Sequence, residues 1–193
     1  MLRSLYDWTM GLAGHRNALA ALAVIAFAEA SFFPLPADIL LIPMVIASRE
    51  KAWRIALVCT VASTLGGMFG YGIGYFLYET LGRWLLDLYG YAEQFAKYQG
   101  LYNKWGFWIV MVGGLTPIPY KVVTIASGLA SQDLLVFVFG SVTSRGLRYF
   151  AVAALLWYFG PPIRDWIERR MALAATLFVT LLIGGFVLIR YLV

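Results

Sequence analysis

The sequence predicts an all-α integral membrane protein, an inverted repeat of a re-entrant hairpin plus a transmembrane helix, with an extra C-terminal transmembrane helix. Three observations predict it. Of 193 residues, 62% are hydrophobic and only 13% charged, with a mean hydropathy of +0.77, whereas a soluble domain carries about 25% charged residues. Two Pro-x-Pro breaks, Pro34-Leu35-Pro36 and Pro117-Ile118-Pro119, interrupt apolar runs whose arms fall short of the ~20 residues a spanning helix needs. A long apolar segment follows each break, and Ser131 echoes Ser48 at an offset of 83 residues. The chain reads as one membrane domain over residues 1–193.

In order, residues 1–17 mix Arg3, Asp7, His15 and Arg16 with Leu, Tyr and Trp, the composition of a helix lying along the membrane surface. Residues 18–48 are the first re-entrant hairpin. Arg16 and Ala26-Phe27-Ala28 give this stretch some likeness to a signal peptide, but the charged region is too long for one. Pro34 and Pro36 stop the arriving helix, because proline lacks an N–H and clashes with the preceding turn. Asp38 then stands where it can cap a new helix or serve as its first-turn acid.

Arg49, Glu50, Lys51 and Arg54 mark a polar boundary before a transmembrane helix over residues 52–81. Gly66, Gly70 and Gly74 recur every fourth position in it, a stripe that admits another backbone closely; packing is the reading preferred to any ligand role. Residues 82–106 form an amphipathic segment, with charges among Trp, Leu and Tyr.

Residues 107–131 are the second hairpin, broken at Pro117 and Pro119, with Lys121 placed after its break as Asp38 is after the first. A second transmembrane helix over residues 133–160 ends at Gly160-Pro161-Pro162, a charged loop follows, and residues 172–192 span once more. One crossing separates the two hairpins, so they enter from opposite faces, the transporter plan with its site near the midplane. Arg3, Arg16, Arg49, Lys51, Arg54, Arg164, Arg169 and Arg170 gather on one face against Arg83, Lys97, Lys104 and Arg190 on the other. The positive-inside bias puts the N-terminus in the cytoplasm.

Composition also excludes functions. The net charge of +5 comes without a basic run interleaved with aromatics, so no nucleic-acid partner is expected. Cys59 and His15 are each alone, which leaves no metal site of Cys or His spacing and no disulfide within the chain. There is no nucleophile elbow, P-loop or dinucleotide fingerprint; no enzyme activity and no cofactor are expected.

Five charges lie inside apolar stretches: Glu29, Asp38, Lys121, Arg145 and Arg148. Each would cost about 2.5–3.5 kcal/mol facing lipid, so they are expected to face the interior. Glu29 and Asp38 flank the first break and are candidates for a proton or charge relay. Arg145 and Arg148 share a helix face and, with Lys121, are candidates for holding an anionic head group, since guanidinium groups grip phosphate oxygens in pairs. Three cations against two acids leave one positive charge for a ligand. The plainer reading is that an acid neutralises an arginine to hold the hairpins together.

The residues also carry a resemblance. Glu29-x4-Pro34-x-Pro36-x-Asp38, and Gly113-Gly114-x2-Pro117-x-Pro119-x-Lys121 running on to Ser127-Gly128, resemble the DedA family, also called SNARE-associated Golgi or VTT-domain proteins, over roughly residues 17–160. Many members carry Gly-Arg before the second proline pair and an arginine after it; with Gly114 and Lys121 there, this chain resembles the short bacterial branch. The resemblance implies two re-entrant hairpins in an inverted repeat and a bacterial inner-membrane location. It also implies a role in moving lipids between leaflets, as a phospholipid scramblase or an importer of polyprenyl-phosphate carriers, with proton coupling in some members. Membrane lipids, phosphate-bearing ones foremost, are the expected partners, and a homo-oligomer stays open. A small-solute or ion carrier on the same plan is the alternative if the cavity is closed to lipid, and a non-transporting structural protein if the five charges can be neutralised without effect.

Overall fold

The computed structural model describes residues 17–33, 36–116 and 119–169, and of residues 85 and 160–169 the backbone alone. The described residues are helical, with no strand. Helix α1 spans Ala18–Ser31 and α2 spans Asp38–Ala47, and a 3-10 turn, Arg49–Lys51, leads into α3, Ala52–Leu77. A π-helical turn, Tyr78–Gly82, joins α3 to α4, Arg83–Tyr89; then come α5, Ala92–Leu115, α6, Tyr120–Leu129, and α7, Leu134–Arg169.

The breaks between α1 and α2 and between α5 and α6 fall where the two proline pairs stand. Pro34 and Pro117 themselves, with residues 35 and 118, lie outside the described residues. Pro36 accepts from the Ile39 N–H at 3.3 Å, and Pro119 occupies the N-cap of α6, accepting from the Val122 N–H at 2.9 Å. A missing N–H does little harm at a helix start, where that donor has no intrahelical partner anyway. Helix α6 ends with Ser131 in the left-handed region at φ 49°. The Gln132 N–H then reaches back to the Ser127 carbonyl at 3.1 Å and the Ser131 N–H to that of Gly128 at 2.9 Å, a Schellman ending. Gly90, at φ 70°, ends α4 in the same way.

Each helix before a break lies along the long helix that follows it, α1 on α3 and α5 on α7. Each helix after a break packs against the other long helix, α6 on α3 and α2 on α7, and α3 and α7 pack on each other. Leu22, Leu41, Val45, Ile55, Cys59 and Tyr149 fill one core between α1, α2, α3 and α7; Ala30, Val110, Tyr120, Val123 and Phe137 fill a second.

The glycines of α3 set the approach of its neighbours. A methyl group on Gly66 would overlap the Phe27 carbonyl of α1, and one on Gly74 the Ile125 carbonyl of α6. One on Gly70 would strike the Thr124 hydroxyl, which itself donates to the Ala30 carbonyl at 3.1 Å. So one face of α3 receives α1 and α6 at backbone contact. Its outward face carries Leu57, Val61, Leu65, Phe69 and Phe76, all exposed, and the helix is thus apolar all round. The stretch Arg49–Gly82, which holds an 18-residue window of mean hydropathy 1.5, is long and apolar enough to cross a membrane; Ala18–Ser31 and Asp38–Ala47 are apolar but shorter.

Three expected boundaries are corrected. No break separates residues 82–106 from 107–131, because α5 runs unbroken through Gly106. Gly106 is a contact rather than a hinge: a Cβ there would meet the Gln132 amide. From the same helix, Gln99, Asn103 and Tyr102 reach the Leu129, Ala130 and Val123 carbonyls of α6 at 3.3–3.5 Å. The helix over residues 52–81 does not stop there but passes through the π turn into α4. Gly160-Pro161-Pro162 does not end α7, which continues to Arg169 through the expected charged loop. Proline's fixed φ is itself helical, so the pair removes donors at a cost of about 3 kcal/mol or more each without forcing the chain out of the helix. The spanning segment expected over residues 172–192 lies outside the described residues, as do residues 1–16 of the surface helix expected over residues 1–17.

Candidate functional site

The first break is closed by charge. Glu29 stands in the last turn of α1 and Asp38 in the first turn of α2. The Ala37 N–H donates to Glu29 Oε2 at 2.9 Å, so the acid of one helix satisfies the N-cap residue of the next. Asp38 is a first-turn acid without a capping bond, placed where the helix dipole favours a carboxylate.

Helix α7 brings two arginines to these acids. Arg145 Nη2 donates to Glu29 Oε1 at 3.2 Å, and Arg148 Nη2 to Asp38 Oδ2 at 2.6 Å. The two pairs differ in setting. The Arg145 side chain is 0% exposed and that of Glu29 17%. Arg145 Nε also donates to Ser63 Oγ of α3 at 2.8 Å, and Nη2 to the Tyr149 hydroxyl. Its guanidinium carbon lies 4.8 Å from the centre of the Tyr120 ring and 4.7 Å from that of Tyr149, within cation–π range of both. Tyr149 donates in turn to Glu29 Oε2 at 3.5 Å, and Tyr120 to Ser141 Oγ at 2.6 Å. Arg145 thereby joins α1, α3, α6 and α7. Arg148 is 28% exposed against 16% for Asp38, and among the described residues the Asp38 contact is its side-chain bond. Asp38 Oδ1 and Arg145 Nη1 are buried without a hydrogen-bond partner.

Of the five charges in apolar stretches, the fold thus gathers four into two acid–base pairs. Lys121 stands apart, in the first turn of α6 and partly exposed; among the described residues no carboxylate lies within 4.0 Å of it. Sequence reasoning missed Ser63, Tyr120 and Tyr149. Tyr149 follows Arg145 by one helical turn, a spacing that could have found it. Ser63 and Tyr120 come from other helices and carry no local signal. Among the described residues no group of His, Cys, Asp and Glu could hold a metal ion.

The VTT domain model matches residues 35–160, a span holding Asp38, Lys121, Arg145 and Arg148; Glu29 precedes it. The chain is similar to an uncharacterized protein of Haemophilus influenzae, 37% identical over 152 residues, 79% of each chain. It is also similar to an uncharacterized protein of Histophilus somni, 37% identical over 157 residues, 81% of this chain and 82% of that one. No solved structure matches. By this match and these relatives, the chain belongs to the VTT-domain, or DedA, family of membrane-associated proteins.

Proposed function

We propose that this protein is a membrane transporter that moves phosphate-bearing lipids between the leaflets of the bacterial inner membrane. The observation that carries the reading is the charge cluster at the first break: Glu29, Asp38, Arg145 and Arg148 meet inside an otherwise apolar bundle. Charges in such a place mark substrate and ion pathways by default. The halves are an inverted repeat of a re-entrant hairpin and a spanning helix, entered from opposite faces, with the N-terminus in the cytoplasm. The packing supports it, since the helix after each break crosses to the long helix of the other half. Lys121, Arg145 and Arg148 supply the positive side toward a head group, and Glu29 and Asp38 exchange charge or protons with it. The protein performs no covalent chemistry and needs no cofactor.

A second reading, a clasp without transport, is favoured by one observation: both arginines are already neutralised by acids. Liposomes holding only the purified protein separate the two. The transporter speeds leaflet exchange of a fluorescent phosphate-bearing lipid over protein-free liposomes, and Glu29→Gln or Asp38→Asn slows or decouples it. Exchange no faster than in protein-free liposomes leaves the clasp.

A further inference from the structure

Arg145 and Arg148 sit three residues apart on one helix, yet the fold treats them oppositely. Arg145 has no free surface; its Nε and Nη2 are engaged by Ser63, Glu29 and Tyr149, its Nη1 is buried without a partner, and the Tyr120 and Tyr149 rings lie within reach of its guanidinium. A ligand could reach it only by displacing side chains of several helices. Arg148 is 28% exposed and, among the described residues, is held by Asp38 alone, through Oδ2, while Oδ1 has no partner there. A guanidinium offers five N–H donors, and a carboxylate using one oxygen leaves the paired fork unfilled.

We propose that Asp38 is a built-in competitor for Arg148: it occupies the place of a phosphate, and this pair opens when a phosphate-bearing ligand arrives while Arg145–Glu29 stays shut. The proposal rests on the transport reading for the class of ligand. Phosphate presents oxygens that fill the guanidinium fork in bidentate fashion, which the single contact of Asp38 does not. The released carboxylate is not stranded, because Asp38 is in the first turn of α2, where the helix dipole stabilises a negative charge. Glu29 has less of a retreat. It lies in the last turn of α1, at the negative end of that helix, and without Arg145 it keeps the Ala37 N–H and the Tyr149 hydroxyl but no cation. Arg145 is therefore a positioning residue and Arg148 the exchangeable one.

Binding to the full-length detergent-solubilised protein tests this with three probes: inorganic phosphate, dihexanoyl phosphatidic acid, and dihexanoylglycerol as the phosphate-free control. Removing the competitor in Asp38→Asn tightens binding of the phosphate-bearing probes by roughly tenfold, the scale of one charged hydrogen bond. Tightening for both phosphate probes means that phosphate alone is recognised, and tightening only for the lipid means a head group with its tail; either supports the exchange. Glu29→Gln lowers the melting temperature and brings no gain in affinity. Unchanged or weaker phosphate binding in Asp38→Asn overturns the proposal, as does equal tightening for dihexanoylglycerol. A second measurement uses the wild type, where no folding defect intervenes. Phenylglyoxal followed by mass spectrometry modifies Arg148, the phosphate-bearing probe protects it, and Arg145 stays unmodified. Equal modification of both arginines, or no protection of Arg148, refutes the exchange. If liposomes show no lipid movement while Asp38→Asn binds phosphate more tightly, the transport reading falls and the exchangeable pair stands; movement without that tightening gives the reverse.

Discussion

Neutralising Glu29 tests how much the buried pair holds the bundle together. Removing one partner of a buried ion pair costs about 3–5 kcal/mol, because the other charge stays desolvated and alone. Here the cost falls toward the low end. Glu29 is 17% exposed, and in Glu29→Gln the amide oxygen can still accept the Ala37 N–H that Oε2 accepts now. The Tyr120 and Tyr149 rings continue to stabilise the guanidinium, by up to about 2 kcal/mol in a desolvated site. The net loss is about 2–3 kcal/mol, and at ~2–4 °C per kcal/mol for a chain of this size the melting temperature drops by about 5–10 °C. Arg145→Met loses the contacts to Ser63, Glu29 and Tyr149 together and costs about 3–5 kcal/mol. The double variant costs less than the sum, since each single change strands the other charge. Thermal unfolding in detergent, followed by the fluorescence of the seven tryptophans, measures the cycle. Losses that add to within about 0.5 kcal/mol, or a Glu29→Gln protein that melts with the wild type, would refute the reasoning.

Three further outcomes use the same assay. Gly66→Ala and Gly74→Ala each drive a methyl group into a neighbouring carbonyl and destabilise by about 1–3 kcal/mol. Gly72→Ala meets nothing within 4 Å and stabilises by about 0.5–1 kcal/mol; the opposite order would mean that α1 and α6 do not approach α3 as described. Tyr120→Phe keeps the ring beside Arg145 and loses the bond to Ser141, about 1 kcal/mol, whereas Tyr120→Leu loses a further 1–2 kcal/mol or so of cation–π attraction. Arg83→Ala breaks the pair with Glu79, whose side chains are 59% and 30% exposed, and shifts stability by less than about 1 kcal/mol; a larger loss would show that pair to be shielded from water.

The two breaks were legible because proline acts locally: it removes a donor and fixes φ whatever surrounds it. The same reasoning failed at Gly160-Pro161-Pro162, where α7 continues, since proline raises the cost of a helix without forbidding it. Gly106 misled differently. The composition changes there from amphipathic to apolar, but a change in which face is wet does not interrupt the backbone. The glycine serves the Gln132 amide of a loop that follows α6, a contact invisible from local sequence. The five charges were legible because an apolar stretch makes each conspicuous. Their division into a sealed pair and an accessible one was not. Helical spacing places Arg145 and Arg148 on one face, and what separates them is Ser63 from α3 and Tyr120 from α6.

The two breaks are electrostatic opposites, and that asymmetry is what the site is built on. Each break ends one helix and starts another, so each exposes the negative end of the first and the positive end of the second. At the first break Asp38 matches the positive end of α2, while Glu29 sits against the negative end of α1 and needs a cation, which Arg145 supplies. At the second break the first turn of α6 carries Lys121, a cation at a positive end, where the dipole disfavours it. The hydrogen bonds around it serve other groups: Tyr120 bonds to Ser141, and Thr124 donates to the Lys121 backbone carbonyl at 2.9 Å. The first break therefore holds both charges of each of its pairs. The second holds positive charge that no described carboxylate within 4.0 Å answers. A bundle that only packed would gain by matching Lys121 with an acid, or by replacing it with one that suits the dipole. A cation that no carboxylate answers among the described residues fits the anion uptake proposed above.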